Sequence, residues 1–498
     1  MKSFFMTGII GLMFLSCMQQ SKEKEGNAPT FTASAGEVKL IVLAPGHFHA
    51  DLLQKSAMSQ VCDSVYVYAA SPEDAGLKQY LSAIESFNTR TDNPTAWQTV
   101  VYTGDDFLHN MITQKKGNVV VLAGNNKEKT EYILKAVDAG LNVLSDKPMA
   151  INRKDFLLLE EAYKEAESKG VQLYDMMTER YDMLNIIEKE LINDPDLFGE
   201  LQQGTPGDPA VYMESVHHFY KEVSGTPLIR PAWYYDVEQQ GEGIADVTTH
   251  LIDLLFWKCF PGQSIDYTRD IGNISSTHWA TEITLPQFAK STGESAFPDY
   301  LQKYIDNAVL KVFTNGILQF DVKNRNIGLK VIWNYQAPEG SGDTFMSVVK
   351  GTKSILKTVQ GKEQGFVKQL YVQRPNELKK KVFEDYLEKS ISRLQATYPF
   401  LSYSETNLAG TYLIHIPVAN REGHEWHFTY VAKRFFQYLV DQNMPEWEKL
   451  NALAKYYITT KAVELQTIGI DTCEVYDESS KIFHGSLKDI RSYRDYKK

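Results

Sequence analysis

Between residues 37 and 145 the chain alternates short apolar runs with helical patterns, and that alternation restricts the fold more than any other feature. The runs at 37–45 (EVKLIVLAP), 64–70 (SVYVYAA), 98–104, 118–124 and 142–145 read as buried strands. Helical patterns at 50–60, 106–116 and 127–139 lie between them, and 72–94 reads as a helical insertion. Strands separated by helices of this length pair in parallel, since a parallel partner is reached only by a crossover. Right-handed crossovers place the carboxyl ends of the strands, and any ligand, on one edge of a doubly wound sheet. Those ends carry Gly46-His47-Phe48-His49, Gly124-Asn125-Asn126 and Asp146-Lys147-Pro148, so three loops distant in sequence are expected at one crevice.

After this region the pattern reads helix at 153–169, strand at 171–178 and helix at 183–193. Past Gly199 the texture changes to short strand-like runs with Gly, Pro and Asn turns, as at 211–217, 308–314, 317–322, 328–335, 344–350 and 354–359. These suit a large, mostly antiparallel open sheet with one covered face. Helices are expected at 377–396, 424–443 and 446–467. With 498 residues the chain is long enough for two domains, drawn at 37–150 for the parallel sheet and 151–498 for a second α/β domain with C-terminal helices.

The first residues read as an export signal. Lys2 precedes an apolar run from Phe4 to Leu15, which ends at Ser16-Cys17. The run is too short to span a bilayer as a mature helix, and its order of charge, apolar stretch and small residue before a cysteine is that of a lipoprotein signal over 1–17 with lipidation at Cys17. Residues 18–36 read as a tether. The expected location is the bacterial cell envelope, on the periplasmic or outer-membrane face, with the lipid as the only membrane attachment. Cys62, Cys259 and Cys473 remain; they make no disulfide framework and no zinc pattern, and any single pairing among them is left open. The net charge of -11, with no long basic run, excludes nucleic acid as a partner.

The chemistry-bearing stretch is Gly241-Glu242-Gly243-Ile244-Ala245-Asp246-Val247-Thr248-Thr249-His250. On a helix, Asp246 and His250 share one face a turn apart. A carboxylate beside an imidazole can hold its tautomer and raise its basicity, as a general acid/base requires. Lys147, at a strand end, offers a cation at the expected crevice. The competing structural reading makes Asp246 a helix-start residue, His250 a buried core histidine and Lys147 a surface lysine.

Asp146-Lys147-Pro148 after a strand, followed by Gly-x-Gly-x-x-Asp-x-x-x-His ending at His250, resembles the Gfo/Idh/MocA oxidoreductases. The likeness runs from about residue 37 to 257. Asp146 stands where that family usually has Glu, and Glu242 interrupts its glycine pair. The resemblance implies a Rossmann-like nucleotide-binding domain, a second domain with an open sheet, and NAD or NADP as cofactor, with NAD favoured. It implies that Lys147 bridges cofactor and reacting hydroxyl, that His250 moves the hydroxyl proton, and that Asp246 orients His250. A lysine crowded by a cofactor can have a lowered pKa and share the proton work, and a cis Lys147-Pro148 bond would aim Lys147 into the crevice. The first loop departs from Gly-x-Gly-x-x-Gly: only Gly46 and the small Ala50 fit, and Phe48 is bulky where backbone should approach a diphosphate. Gly46, His47, Phe48, His49, Asn125, Asn126, Asp146 and Lys147 are the expected cofactor residues. Arg180, Arg230 and Trp233 are expected to meet the substrate, with core packing as the alternative for Trp233 and an ion pair for Arg230.

These residues predict a nicotinamide-dependent oxidoreductase acting on a hydroxyl of a sugar, polyol or glycoside; a homo-oligomer is allowed. Free NAD is not expected outside the cytoplasm, so a redox-assisted glycosidase with a retained cofactor is an alternative. A non-enzymatic carbohydrate-binding module with a decayed nucleotide loop is another. His47-x-His49 also matches metal-dependent hydrolases, with His217, His218, His424 and His427 as further candidates, but that barrel does not fit a doubly wound pattern, and no metal is expected.

Overall fold

The computed structural model describes residues 31–223, 226–465, 467–468 and 491–492. The signal segment with Cys17, most of the tether, and Cys473 lie outside the described residues. Among the described residues Cys62 and Cys259 form no disulfide.

The parallel sheet forms as the sequence predicts. Strands β1 (Leu40–Leu43), β2 (Ser64–Ala69), β3 (Gln98–Thr103), β4 (Val119–Leu122), β5 (Asn142–Ser145) and β6 (Leu173–Asp175) pair in the order β3-β2-β1-β4-β5-β6. Every residue of β1, β4 and β5 is buried, as strands covered on both faces require. The order reverses between β1 and β4, and the crevice opens there. Because β6 continues this sheet past residue 150, the sheet extends beyond the boundary drawn from sequence.

Helices α1 (His49–Leu52), α2 (Ala75–Thr89), α3 (Phe107–Gln114), α4 (Lys129–Asp138) and α5 (Arg153–Lys169) accompany it. Asp74 caps α2 by accepting from the Leu77 amide at 2.8 Å, and Asn152 caps α5 by accepting from the Asp155 amide at 3.0 Å. The helix expected at 50–60 is a single turn. Its place over β1 is taken from far along the chain: α10 (His424–Asp441) packs Phe428, Val431 and Phe435 into one core with Leu40, Val42, Ala50 and Leu53. The next helix, α11 (Glu446–Leu465), packs Ala452 and Tyr456 against the opposite face of the parallel sheet. The C-terminal helices therefore belong structurally to the nucleotide-binding sheet as much as to the second domain.

Between these lie α6 (Met183–Ile192), α7 (Gly243–Cys259), α8 (Leu285–Thr292) and α9 (Lys380–Leu394), and a twelve-stranded mixed sheet. Its longest strands, Ile271–Thr284, Val309–Val322 and Arg325–Gln336, pair antiparallel in that order. Val211–Tyr220 then adds in parallel to Arg325–Gln336 and antiparallel to Thr344–Lys350. One face is covered by α7, whose Val247, Leu251 and Leu255 pack with Leu318, Leu329 and Val331. Gly243 permits this approach, because a Cβ there would collide with the Thr314 carbonyl oxygen.

Candidate active site

The crevice between β1 and β4 faces the start of α7. Lys147 follows β5 and is joined to Pro148 by a cis peptide bond. Its ammonium donates to Asp246 Oδ1 at 2.5 Å. Asp246 Oδ2 accepts from Gln240 Nε2 at 3.1 Å. Gln240 in turn is held by Asn126, whose side chain donates to the Gln240 carbonyl at 2.7 Å and whose amide donates to the Gln239 carbonyl at 2.9 Å. Asn125 donates to Gln239 Oε1 at 2.7 Å. Thus Asn125 and Asn126 tie the nucleotide-binding sheet to the segment that launches α7.

Two expectations about this group need correction. Both oxygens of Asp246 are committed to Lys147 and Gln240, so Asp246 holds the lysine rather than the histidine. His250 Nδ1 is buried and has no hydrogen-bond partner. The second correction concerns charge. Burial disfavours the Lys147 ammonium, but Asp246 and Asp146 outweigh it and raise the pKa above the ordinary lysine value. Burial likewise opposes ionisation of Asp246, and Lys147 with its hydrogen bond outweighs that, keeping the carboxyl below its usual range. His250 goes the other way: burial first, then Lys147, push it down to about 3, so the imidazole is neutral. The site presents a held cation and a neutral imidazole with a free nitrogen.

Glu179 carries no signal in the sequence, although its neighbour Arg180 does. It lies in the one-turn segment Thr178–Tyr181 and acts on the charge state of His250. Its carboxylate pairs with Lys368 at 3.1 Å and approaches His424 Nδ1 at 3.5 Å. Burial opposes its ionisation, but Lys368 outweighs that and holds the carboxyl below its usual range. Nothing in the local pattern marks Glu179 or Lys368, because they meet only when the second sheet folds back.

The expected substrate residues are otherwise occupied. Arg180 clasps Asp253 through Nε (2.7 Å) and Nη2 (2.6 Å) and reaches Glu448 through Nη1 (2.8 Å). It is a buried structural group, not a cleft residue. Arg230 donates to the carbonyls of Phe219 (2.7 Å) and His218 (3.1 Å) and lies over Tyr234 and Trp333. Trp233 packs against the core of the second domain. His217 and His218 share Asp343, at 3.7 and 2.9 Å, which satisfies them locally.

The nucleotide side combines familiar and altered parts. A cavity of about 320 Å³ opens at the ends of β1 and β4, with Ala44, Gly124, Asn125, Tyr132 and Gln239 in its wall. The position at the strand-order reversal and the amide-rich wall fit a nicotinamide nucleotide. The first loop does not offer the usual amide cradle, because the Gly46 and His47 amides both donate to the Ala123 carbonyl, at 3.1 and 3.3 Å. Gly124 is small for the same reason: a Cβ there would strike the Ala44 oxygen. His49 Nδ1 lies 2.9 Å from Asp146 Oδ2, and His47 Nδ1 lies 3.6 Å from the same oxygen. Phe48 is exposed at the loop tip.

Comparison with known proteins agrees with this architecture. Residues 46–175 match the family described as "Oxidoreductase family, NAD-binding Rossmann fold". Residues 187–467 match the "Putative oxidoreductase C terminal domain". A crystal structure of a "putative oxidoreductase" from Parabacteroides merdae is 47% identical, with TM-score 0.86, covering 88% of this chain and 99% of that one. An oxidoreductase domain protein from Kribbella flavida has the same fold at 13% identity and TM-score 0.55, covering 86% of this chain and 97% of that one. Levoglucosan dehydrogenase, solved with NADH and levoglucosan, does so at 12% identity and TM-score 0.54, covering 86% and 96%. No curated protein matches. The chain belongs to the Gfo/Idh/MocA family of nicotinamide-dependent oxidoreductases.

Proposed function

We propose that this oxidoreductase transfers hydride at a hydroxyl-bearing carbon of a sugar, polyol or glycoside, with Lys147, Asp246 and His250 as its working residues. The observation that carries this is the pairing of a held ammonium with a neutral imidazole at the crevice between the two domains. NAD or NADP, when bound, takes or gives the hydride. Lys147, fixed by Asp246 and kept positive, stabilises negative charge on the reacting oxygen. His250, held neutral, accepts or returns the hydroxyl proton. Asn125, Asn126 and Gln240 fix the approach of the two domains, so the lysine keeps its aim. The sugar-type substrate class is supported by the ligand named with levoglucosan dehydrogenase, a protein of the same fold.

This reading includes export and lipid attachment at Cys17, supported by the order of charge, apolar run and small residue in 1–17. An enzyme outside the cytoplasm must hold its nicotinamide and return it to its starting state each turnover. The deciding experiment is denaturation of protein purified without added nucleotide, followed by absorbance and mass analysis of what is released. One nicotinamide nucleotide per chain is expected. No release, together with no binding on titration with NAD or NADP, would overturn the reading.

A further inference from the structure

The altered first loop places two imidazoles and one carboxylate together. His47 and His49 come from the turn after β1, and Asp146 from the end of β5. One donor atom from each lies within 4.8 Å of the others, and Asp146 Oδ2 lies 2.9 Å from His49 Nδ1 and 3.6 Å from His47 Nδ1. We propose that His47, His49 and Asp146 form a binding site for a divalent transition-metal ion.

The chemistry of the donor set comes first. Two imidazoles and a carboxylate suit Zn²⁺, Fe²⁺, Mn²⁺ or Ni²⁺, whereas Mg²⁺ and Ca²⁺ prefer oxygen alone. Ligand bonds of about 2.0–2.2 Å put the donor atoms of a tetrahedral site a little over 3 Å apart. The observed 2.9 and 3.6 Å to Asp146 Oδ2 bracket that spacing, and the donor atoms of the two histidines lie within 4.8 Å of each other, so the set closes on an ion by drawing the imidazoles together.

Rigidity comes second. The Asp146 amide donates to the Leu122 carbonyl at 2.7 Å, and the Asp146 carbonyl accepts from Lys129 Nζ at 3.2 Å. The His49 ring packs on Phe428 of α10 at 4.6 Å between centroids. Two ligands are therefore fixed before any ion arrives, as good metal sites require. His47, the partly exposed member, faces solvent and leaves the remaining coordination positions on its side for water or another oxygen donor. The ammonium groups of Lys129 and Lys147 stand near the site, but each is held by a partner: Lys129 by Asn126 at 2.5 Å, and Lys147 by Asp246 at 2.5 Å.

The site also answers a deficit in the loop. The Gly46 and His47 amides are committed to Ala123, so the backbone that usually faces a nucleotide diphosphate is not free there. A bound cation next to this turn supplies the missing positive charge. This last step rests on the nucleotide reading; metal binding itself does not.

The test is a cobalt(II) chloride titration of the full chain without nucleotide, followed by visible d–d absorption. A band saturating at one equivalent is expected. His47→Ala and His49→Gln should each raise the half-saturating cobalt concentration by at least about tenfold, the size of effect that even an outer-shell contact can carry. His415→Ala, on a distant strand, should leave the titration unchanged. Zinc should raise the melting temperature of the wild type and not of His47→Ala, which also shows that the variant folds. No stoichiometric band, or a band indifferent to both substitutions, overturns the proposal. Loss of the band with nucleotide binding intact would separate this site from the oxidoreductase reading.

Discussion

Helix α7 carries two buried aspartates, Asp246 and Asp253, in opposite kinds of surroundings. Around Asp253 the valences are filled. Arg180 uses three nitrogens on Asp253 and Glu448, Lys455 adds a contact to Asp253 at 3.2 Å, and Tyr438 donates to Glu448 at 3.2 Å. This group joins the segment after β6, α7 and α11, so it locks the second domain onto the parallel sheet. Around Asp246 the charges are also paired, but the neighbouring His250 keeps a buried nitrogen without a partner. Buried polar groups are nearly always satisfied, and a catalytic role is one physical reason for an exception. The saturated group holds a shape, and the neutral imidazole beside the Lys147–Asp246 pair is left to exchange a proton.

Breaking the saturated side should have the largest effect on stability. Arg180→Met leaves Asp253 and Glu448 buried without their main partner, and loss of one member of such a group costs about 3–5 kcal/mol. Urea unfolding reads this directly. The pH dependence has a definite sign. Burial opposes ionisation of Asp253, but Arg180 and Lys455 pull its pKa down to about 2. Its contribution is therefore complete above the unfolded carboxyl value of about 4 and disappears as pH falls toward 2. Acid unfolding of the wild type should show that loss, and Arg180→Met should have lost most of it already at neutral pH.

His250→Ala tests the unsaturated side. Turnover should fall by about 10²–10⁴, the usual range for a positioned acid/base, while urea stability changes little. If His250→Ala unfolds like Arg180→Met and keeps its turnover, the contrast between the two groups is wrong. Glu179→Gln comes next in size. It should slow turnover less than His250→Ala, and it should remove a carboxylate that favours the protonated forms of His250 and His424. Steady-state rates with one sugar substrate across pH 5–8 would show whether Glu179 acts on the reaction or only on Lys368.

The sequence makes the sheet and the lysine legible because both depend on local pattern. Runs such as LIVL and VVVL, alternating with helical patterns, suit strands buried on two faces of a parallel sheet, and Asp146-Lys147-Pro148 falls at a strand end wherever that strand is drawn. Asp246 and His250 are legible as a helical pair for the same reason. Their partners are not. Asp246 turns to Lys147 from another domain, and Glu179 meets Lys368 across 189 residues of chain. Arg180 looks like a cleft residue until α11 brings Glu448 to it. The single-turn α1 is hidden as well, since its lost surface is covered by α10 rather than by anything nearby in the chain.

The smallest expected effect is also the sharpest test of how the working group is tuned. Lys147 is the largest cause, after burial, of the depressed His250 value. Lys147→Gln removes that charge and keeps a hydrogen-bond donor for Asp246. The His250 pKa should then rise from about 3 by roughly 1–2 units, the usual effect of one nearby charge. Proton NMR of the imidazole against pH measures it without turnover. In the wild type a neutral imidazole persists through the whole physiological range, so no acid limb near pH 6.5 should come from His250. In Lys147→Gln the protonated form appears at higher pH, and proton acceptance is lost correspondingly earlier on acidification. An unchanged titration would mean that burial alone sets the imidazole's charge. Lys147 would then serve the reacting oxygen without tuning its neighbour.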